Sequence, residues 1–179
     1  GGKVYYFNAD GTLKKLSGVV KNSGNRYYYD PTTGEMTTGW VHSGVNDYYF
    51  SPKTGRALTG WQTINGKEYF FNRYGQLAKN RLVGNTYYVN DKGEKVYGWY
   101  TNGDKTYYLN SRTGVIMKKG WQTIDGATYY FDKNGNKVTG TQVIQGIQYT
   151  FSSEGVRSGT IGIDVSKYQS GITVSYTHL

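Results

Sequence analysis

Cysteine is absent from the 179 residues, which excludes a disulfide framework, a thiolate metal site and a cysteine nucleophile. Histidine is nearly absent: His42 and His178 stand far apart with no ligand-type partner beside either, so no metal site is expected and His42 reads as a surface residue. No stretch approaches the roughly 20 apolar residues of a membrane-spanning helix, and no charged-then-apolar leader opens the chain. Capped helical periodicity is missing too, so almost no helix is expected before residue 160. Acidic residues are the scarcer sign, 12 against 21 Lys and Arg, and the net charge of +9 favours anionic partners: nucleic acid, membrane or the phosphate-bearing polymers of a bacterial wall. The basic residues are scattered singly, without the stripe or module of a nucleic-acid binder, so nucleic acid is not expected as a partner. Nothing in the sequence calls for a cofactor.

What is present is tyrosine, 20 residues of it, arranged in a motif that returns eight times. An aromatic pair is followed by an aromatic or aliphatic residue, then usually Asn, Asp or Ser, and a short run to Gly. The motif starts at Tyr5, Tyr27, Tyr48, Tyr69, Tyr87, Tyr107, Tyr129 and, in degenerate form, Tyr149. A fixed period of roughly 20 residues is the signature of a repeat architecture. Only 36% of the chain is aliphatic or aromatic, spread evenly, so each unit has too little apolar mass to fold alone and must stack on its neighbours. An array of this kind presents similar surfaces many times, and binding is the first functional reading. The chain begins inside a repeat, at Gly1-Gly2-Lys3-Val4-Tyr5, and is expected to be a fragment.

Within Gly60 to Asn72, two β-prone runs flank Asn65-Gly66, a strong hairpin signal; Asp125-Gly126 plays the same part between Trp121 and Tyr129. Ser43-Gly44, Asn102-Gly103 and Gln145-Gly146 occupy the equivalent place elsewhere, and runs such as Asp132-Lys133-Asn134-Gly135 supply a second turn. The expected fold is all-β, a solenoid of stacked β-hairpins. Strand alternation assigns Tyr48, Phe50, Tyr129 and Phe131 to the stacking core with Leu58, Leu77, Val96, Ile116 and Val138, and leaves the middle aromatics Tyr49, Phe70, Tyr108 and Tyr130 more exposed, free to line a groove.

A Gly-Trp step opens four of the hairpins, at Trp40, Trp61, Trp99 and Trp121, while Val19, Arg81 and Thr141 hold that position in others. A purely structural Trp would recur in every repeat. Its occurrence in two adjacent pairs points to two ligand sites between hairpins, one at Trp40 with Trp61 and one at Trp99 with Trp121; packing with drift elsewhere is the structural alternative.

With these Gly-Trp, Tyr-Tyr-Phe and Thr-Gly landmarks in order, residues 1–157 resemble the bacterial cell-wall-binding repeats, which include choline-binding modules, glucan-binding repeats and clostridial toxin repeats. The resemblance implies a superhelical β-solenoid with ligands between neighbouring hairpins, and a bacterial cell-wall polymer as partner: a glycan, a teichoic acid or a choline-bearing polymer. The choline-type cage of that family typically also uses a Trp immediately before the Tyr pair, where this chain has Val4, Arg26, Asp47, Glu68, Thr86, Thr106, Thr128 and Gln148. A quaternary ammonium needs several aromatic faces and a sugar only one or two platforms, so carbohydrate is favoured over choline.

Beyond the repeats, the segment 162–169, Gly-Ile-Asp-Val-Ser-Lys-Tyr-Gln, closely resembles the opening strand of the family 25 glycoside hydrolases, the barrel-shaped muramidases or lysozymes. The resemblance implies that Asp164 corresponds to an active-site position and that residues 158–173 form a linker and the start of a truncated (β/α) barrel. The family's Asp-x-Glu pair would lie downstream, so with Asp164 as its one matching acid this chain is expected to be catalytically incomplete. Residues 174–179 resemble the translation of a transposon-end adapter, which implies a non-native tail. The resulting expectation is a wall-binding region that anchors a secreted, cell-wall-associated muramidase, with a non-enzymatic adhesin or choline/glucan-binding array as the alternative.

Overall fold

The computed structural model describes residues 7–12 and 14–164, with the backbone alone for 159–164. The chain divides into two units, Gly1–Val96 and Tyr97–Leu179. Among the described residues all regular structure is β, and no helix occurs.

The first unit holds four hairpins: β1 (Gly18–Asn22) with β2 (Asn25–Tyr29), to which the short β3 (Met36–Thr37) adds; β4 (Gly39–Ser43) with β5 (Asn46–Phe50); β6 (Gly60–Ile64) with β7 (Lys67–Phe71); and β8 (Arg81–Val83) with β9 (Tyr87–Val89). The second holds β10 (Gly98–Asn102) with β11 (Lys105–Leu109), β12 (Gly120–Ile124) with β13 (Ala127–Phe131), and β14 (Gly140–Ile144) with β15 (Ile147–Phe151), the last joined by β16 (Arg157–Asp164). Each described repeat from Tyr27 on is therefore one antiparallel hairpin, as its sequence predicts.

The turns come in two kinds. Asn65-Gly66 and Asp125-Gly126 place both central residues at positive φ, the type I′ pattern that Asn-Gly and Asp-Gly serve. In the hairpins of β4 and β10 the register shifts the turn one residue later than expected, to Gly44-Val45 and Gly103-Asp104, with positive φ at the glycine alone. That is the type II′ pattern. The second turn is clamped by the Asn, Asp or Ser that ends each motif: Asn72 Oδ1 accepts from the backbone N–H of Tyr74 (2.8 Å) and Gln76 (3.1 Å), and Asp132 Oδ1 does the same for Asn134 and Asn136 (2.8 Å each).

Register explains how the hairpins stack. In β6–β7, Gly60 faces Phe71, Trp61 faces Phe70 and Gln62 faces Tyr69, so Trp61 and Phe70 share one side while Tyr69, Phe71 and Ile64 share the other. Within each unit, the Trp side of one hairpin packs on the Tyr/Phe side of the next. Backbone bonds stitch the joint, with Leu77 N donating to Asp47 O, Lys95 N to Glu68 O and Lys137 N to Thr106 O, each at 2.8 Å. Phe50, Phe71, Phe131, Leu109 and Val89 are fully buried, and Ile64, Ile124 and Ile144, just before the turns, are buried with them.

This arrangement corrects parts of the strand-alternation reading. Tyr48, Phe50, Phe131 and Ile116 are core, but Tyr129, Leu58, Leu77, Val96 and Val138 are half-buried. The middle aromatics Tyr49, Phe70, Tyr108 and Tyr130 are half-buried too, because their side of the hairpin meets the next hairpin rather than open solvent. The Trp position of the β8–β9 hairpin is filled by Leu82, which faces Tyr88, and not by Arg81, which faces Val89. A three-residue turn, Gly84-Asn85-Thr86, shortens that hairpin and moves the register.

At the C-terminal end, β16 pairs antiparallel with β15, with Asp164 opposite Ile147. The remainder of the muramidase-like segment, from Val165 on, and the expected non-native tail at 174–179 lie outside the described residues.

Candidate functional site

Four aromatic clusters lie at the joints between hairpins, each built on one Trp. Two aromatics of its own hairpin meet across strands: Trp40 with Tyr49, Trp61 with Phe70, Trp99 with Tyr108 and Trp121 with Tyr130, at centroid separations of 5.2, 5.3, 4.9 and 5.1 Å and edge-to-face. The next hairpin contributes the first Tyr of its motif, which stands edge-on to the same indole: Tyr69 at 5.0 Å, Tyr87 at 5.3 Å, Tyr129 at 4.9 Å and Tyr149 at 4.7 Å. Phe71, Phe131 and Phe151 close the floor under Trp40, Trp99 and Trp121. T-shaped pairs at these distances let positive ring edges meet negative faces and leave the indole as one wall of an open aromatic cup. Trp40, Trp99 and Trp121 remain 44%, 39% and 37% exposed, high values for so large an apolar side chain.

All eight residues singled out as ligand-binding, Trp40, Tyr49, Trp61, Phe70, Trp99, Tyr108, Trp121 and Tyr130, therefore sit in these clusters. Their grouping differs from the expectation: each Trp heads its own cluster, giving four cups rather than two shared sites. Sequence reading missed Tyr69, Tyr87 and Tyr149 as walls and placed Tyr129 in the core, because each belongs to the following repeat.

It also missed a cation. Lys95 Nζ lies 5.3 Å from the Trp61 ring centroid and 4.5 Å from that of Tyr87; Lys137 Nζ lies 5.1 Å from Trp99; Arg157 Cζ lies 5.5 Å from Trp121 and 5.2 Å from Tyr149. The legible signal was the position two after the motif's Gly: Gly93-Glu94-Lys95, Gly135-Asn136-Lys137 and Gly155-Val156-Arg157, against Gly75-Gln76-Leu77 in the repeat that closes the Trp40 cup.

The Trp40 cup opens into a cavity of ≈ 220 Å³ lined by Trp40, Tyr69, Leu77, Asp47, Lys79, Lys92 and Glu94. Two acidic and two basic side chains line it. Lys79 ion-pairs with Asp47, whose other oxygen stands 2.8 Å from His42 Nδ1, and Glu94 pairs with Lys67 at 2.5 Å. The Lys79 hydrogen bond, and after it that of His42, hold the Asp47 carboxyl below its ordinary value against the opposing effect of burial. Lys67 does the same for Glu94. Both carboxylates are thus ionised across the neutral range.

The choline-binding repeat family matches residues 1–39, 58–88 and 118–156, more than half of the chain, and a cell wall binding repeat matches 98–112. Glucosyltransferase-S of Streptococcus mutans is 31% identical over 157 residues, 86% of this chain, which spans 9% of that relative. CbpJ of Streptococcus pneumoniae superposes with a TM-score of 0.76 at 31% identity, over 86% of this chain and 56% of CbpJ. Choline binding protein F of the same organism, in the presence of a peptidoglycan analogue, gives 0.70 at 29% identity, over 86% and 54%. With the repeats matched by sequence and the stacked hairpins matched by structure, the chain belongs to the choline-binding repeat family.

Proposed function

We propose that this chain is a surface-targeting array that binds a bacterial cell-wall polymer, glycan first, by stacking its rings on the exposed tryptophans between hairpins. The observation that carries this reading is the fourfold recurrence of a half-open indole flanked by two further aromatics. One such platform holds a sugar weakly, but several in series hold a polymer well through effective concentration. The net charge of +9 adds attraction to anionic wall polymers. The chain is secreted and wall-associated in this reading, and it positions a family 25 muramidase whose opening motif is the segment 162–169. Asp164 is then one acid of a catalytic site that needs a second suitably placed acid, for which this sequence offers no matching Asp-x-Glu pair.

A choline-bearing polymer is the second reading, supported by the family membership and by the cup at Trp40. Full-length chain retained on purified Gram-positive walls, released by soluble glucan and indifferent to millimolar choline, is the result expected. Release by choline moves the assignment to the second reading. Absence of retention removes both and leaves a stiff spacer, in which Trp61→Ala would alter stability alone.

A further inference from the structure

Three of the four cups are already filled by a side chain of the protein. The position two after the motif's Gly is fixed at both ends: its backbone N–H bonds the preceding hairpin at Leu77, Lys95 and Lys137, and the same residue bridges the third aromatic position of its own hairpin, Leu77 to Phe71, Lys95 to Val89 and Lys137 to Phe131. Whatever side chain stands there is delivered over the cup. At Lys95 the side chain is only 11% exposed, and its ammonium is held 3.1 Å from Glu68 Oε2 as well as against Trp61 and Tyr87. Lys137 donates 2.7 Å to the Glu154 carbonyl while resting over Trp99. Arg157 Nε is buried without a hydrogen-bond partner, so the Trp121 and Tyr149 faces are its compensation.

The residue at this position tracks the residue at the Trp position. Where the indole is replaced by Val19, the partner is Ala57, and both pack on Val41, Tyr48 and Phe50. Where the indole is Trp61, Trp99 or Trp121, the partner is a cation. Trp40 alone is matched with an uncharged residue, Leu77; it is the most exposed of the Trp residues, and among the described residues no side-chain cation lies over its ring. Lys79 and Lys92 also line its cavity; Lys79 is paired there with Asp47, while Glu94 is paired with Lys67 and exerts a weaker Coulombic attraction on Lys92.

We infer that Lys95, Lys137 and Arg157 are built-in occupants that close three cups to cationic ligands, and that Leu77 leaves the cup at Trp40 as the one acceptor for an alkylammonium group among the described hairpins. A second cation in a filled cup would lie within a few ångströms of the first, sharing the same ring faces and repelled by like charge. Neutral rings suffer no such repulsion, so the filled cups keep the outer faces of Trp99 and Trp121 for uncharged sugars. The array is then mixed, with one cation-reading site among sugar-reading ones. This inference rests on the cups being ligand sites, as the proposed function has them.

The test is titration of the full chain with tetramethylammonium, read by calorimetry for stoichiometry and by tryptophan fluorescence. One site per chain is expected, lost in Trp40→Ala and in Leu77→Lys, with a second site appearing in Lys137→Leu. Leu77→Lys keeps every aromatic ring, so its loss of binding with an unchanged circular dichroism spectrum separates plugging from misfolding. More than one site in the unaltered chain, no site at all, or no gain in a folded Lys137→Leu overturns the inference. Wall retention is measured in parallel: retention without cation binding sinks this inference and spares the proposed function, whereas cation binding without retention does the reverse.

Discussion

At the scale of single residues, glycines at the joints set how closely hairpins approach. Gly155 has φ of +78°, and a Cβ there would lie 2.9 Å from the Val138 carbonyl oxygen and 2.7 Å from Lys137 Cδ. Gly66, at φ +78°, has nothing within 4 Å. Both substitutions to Ala carry the strain of a positive φ, about 1 kcal/mol or somewhat more, but Gly155→Ala must also push backbone away from the stem that fills the Trp99 cup. Urea unfolding is expected to show Gly155→Ala clearly less stable than Gly66→Ala; equal midpoints would mean the joint is looser than its geometry. Asp47 offers a pH test at the same scale. Its folded carboxyl is held below the ordinary value of 3.8, chiefly by Lys79 and then by His42, with burial opposing. The stabilisation is therefore fully present above the unfolded value and is lost as pH falls through the lower folded one. Asp47→Asn should unfold earlier than the parent at pH 7, and the two should converge as pH drops toward 3.

At the scale of the element, each hairpin is specified locally but stabilised by its neighbour. The turn glycines Gly44 and Gly103 open type II′ turns, where the first central residue must take positive φ. Gly103→Ala should lower the melting temperature by several degrees, on the order of 1 kcal/mol in a chain this size, whereas Asp125→Asn, which improves a type I′ turn, should leave it unchanged or raised. The hairpins themselves were legible in the sequence because turn chemistry and the Tyr-Tyr-Phe alternation act over a few residues. The walls of the cups were legible only in half, since Tyr69, Tyr87, Tyr129 and Tyr149 act on the Trp of the repeat before them. Arg81 was misplaced because a three-residue turn changes register without changing the landmarks around it. The cations were hidden for another reason: in the sequence Lys95, Lys137 and Arg157 are three among singly scattered basic residues, and only the backbone bonds to Glu68 and Thr106 and the pairing of Arg157 with Phe151 show what they are held against.

At the scale of the whole molecule, four aromatic cups built on the same plan along one chain suit a polymer that touches several of them better than a single small ligand. A short ligand that fills one cup should see sites that scarcely influence one another, because each cup is completed by its own Trp, a cross-strand partner and the next hairpin's Tyr, with no ring shared between cups. A wall polymer engaging several cups gains from each additional contact an effective concentration in the millimolar range, so overall affinity multiplies rather than adds. Removing one cup with Trp121→Ala is then expected to lower polymer retention on walls by about tenfold or more, the amount one weak site contributes through avidity. The same change should alter only the number of sites seen by a short oligosaccharide, leaving the affinity of the others untouched. Adding Trp99→Ala should repeat the tenfold step on walls. If the first substitution abolishes short-ligand binding everywhere, the cups are coupled through the fold and the loss reports instability; if neither changes retention, charge alone carries the wall contact, and raising the salt concentration should release the chain completely.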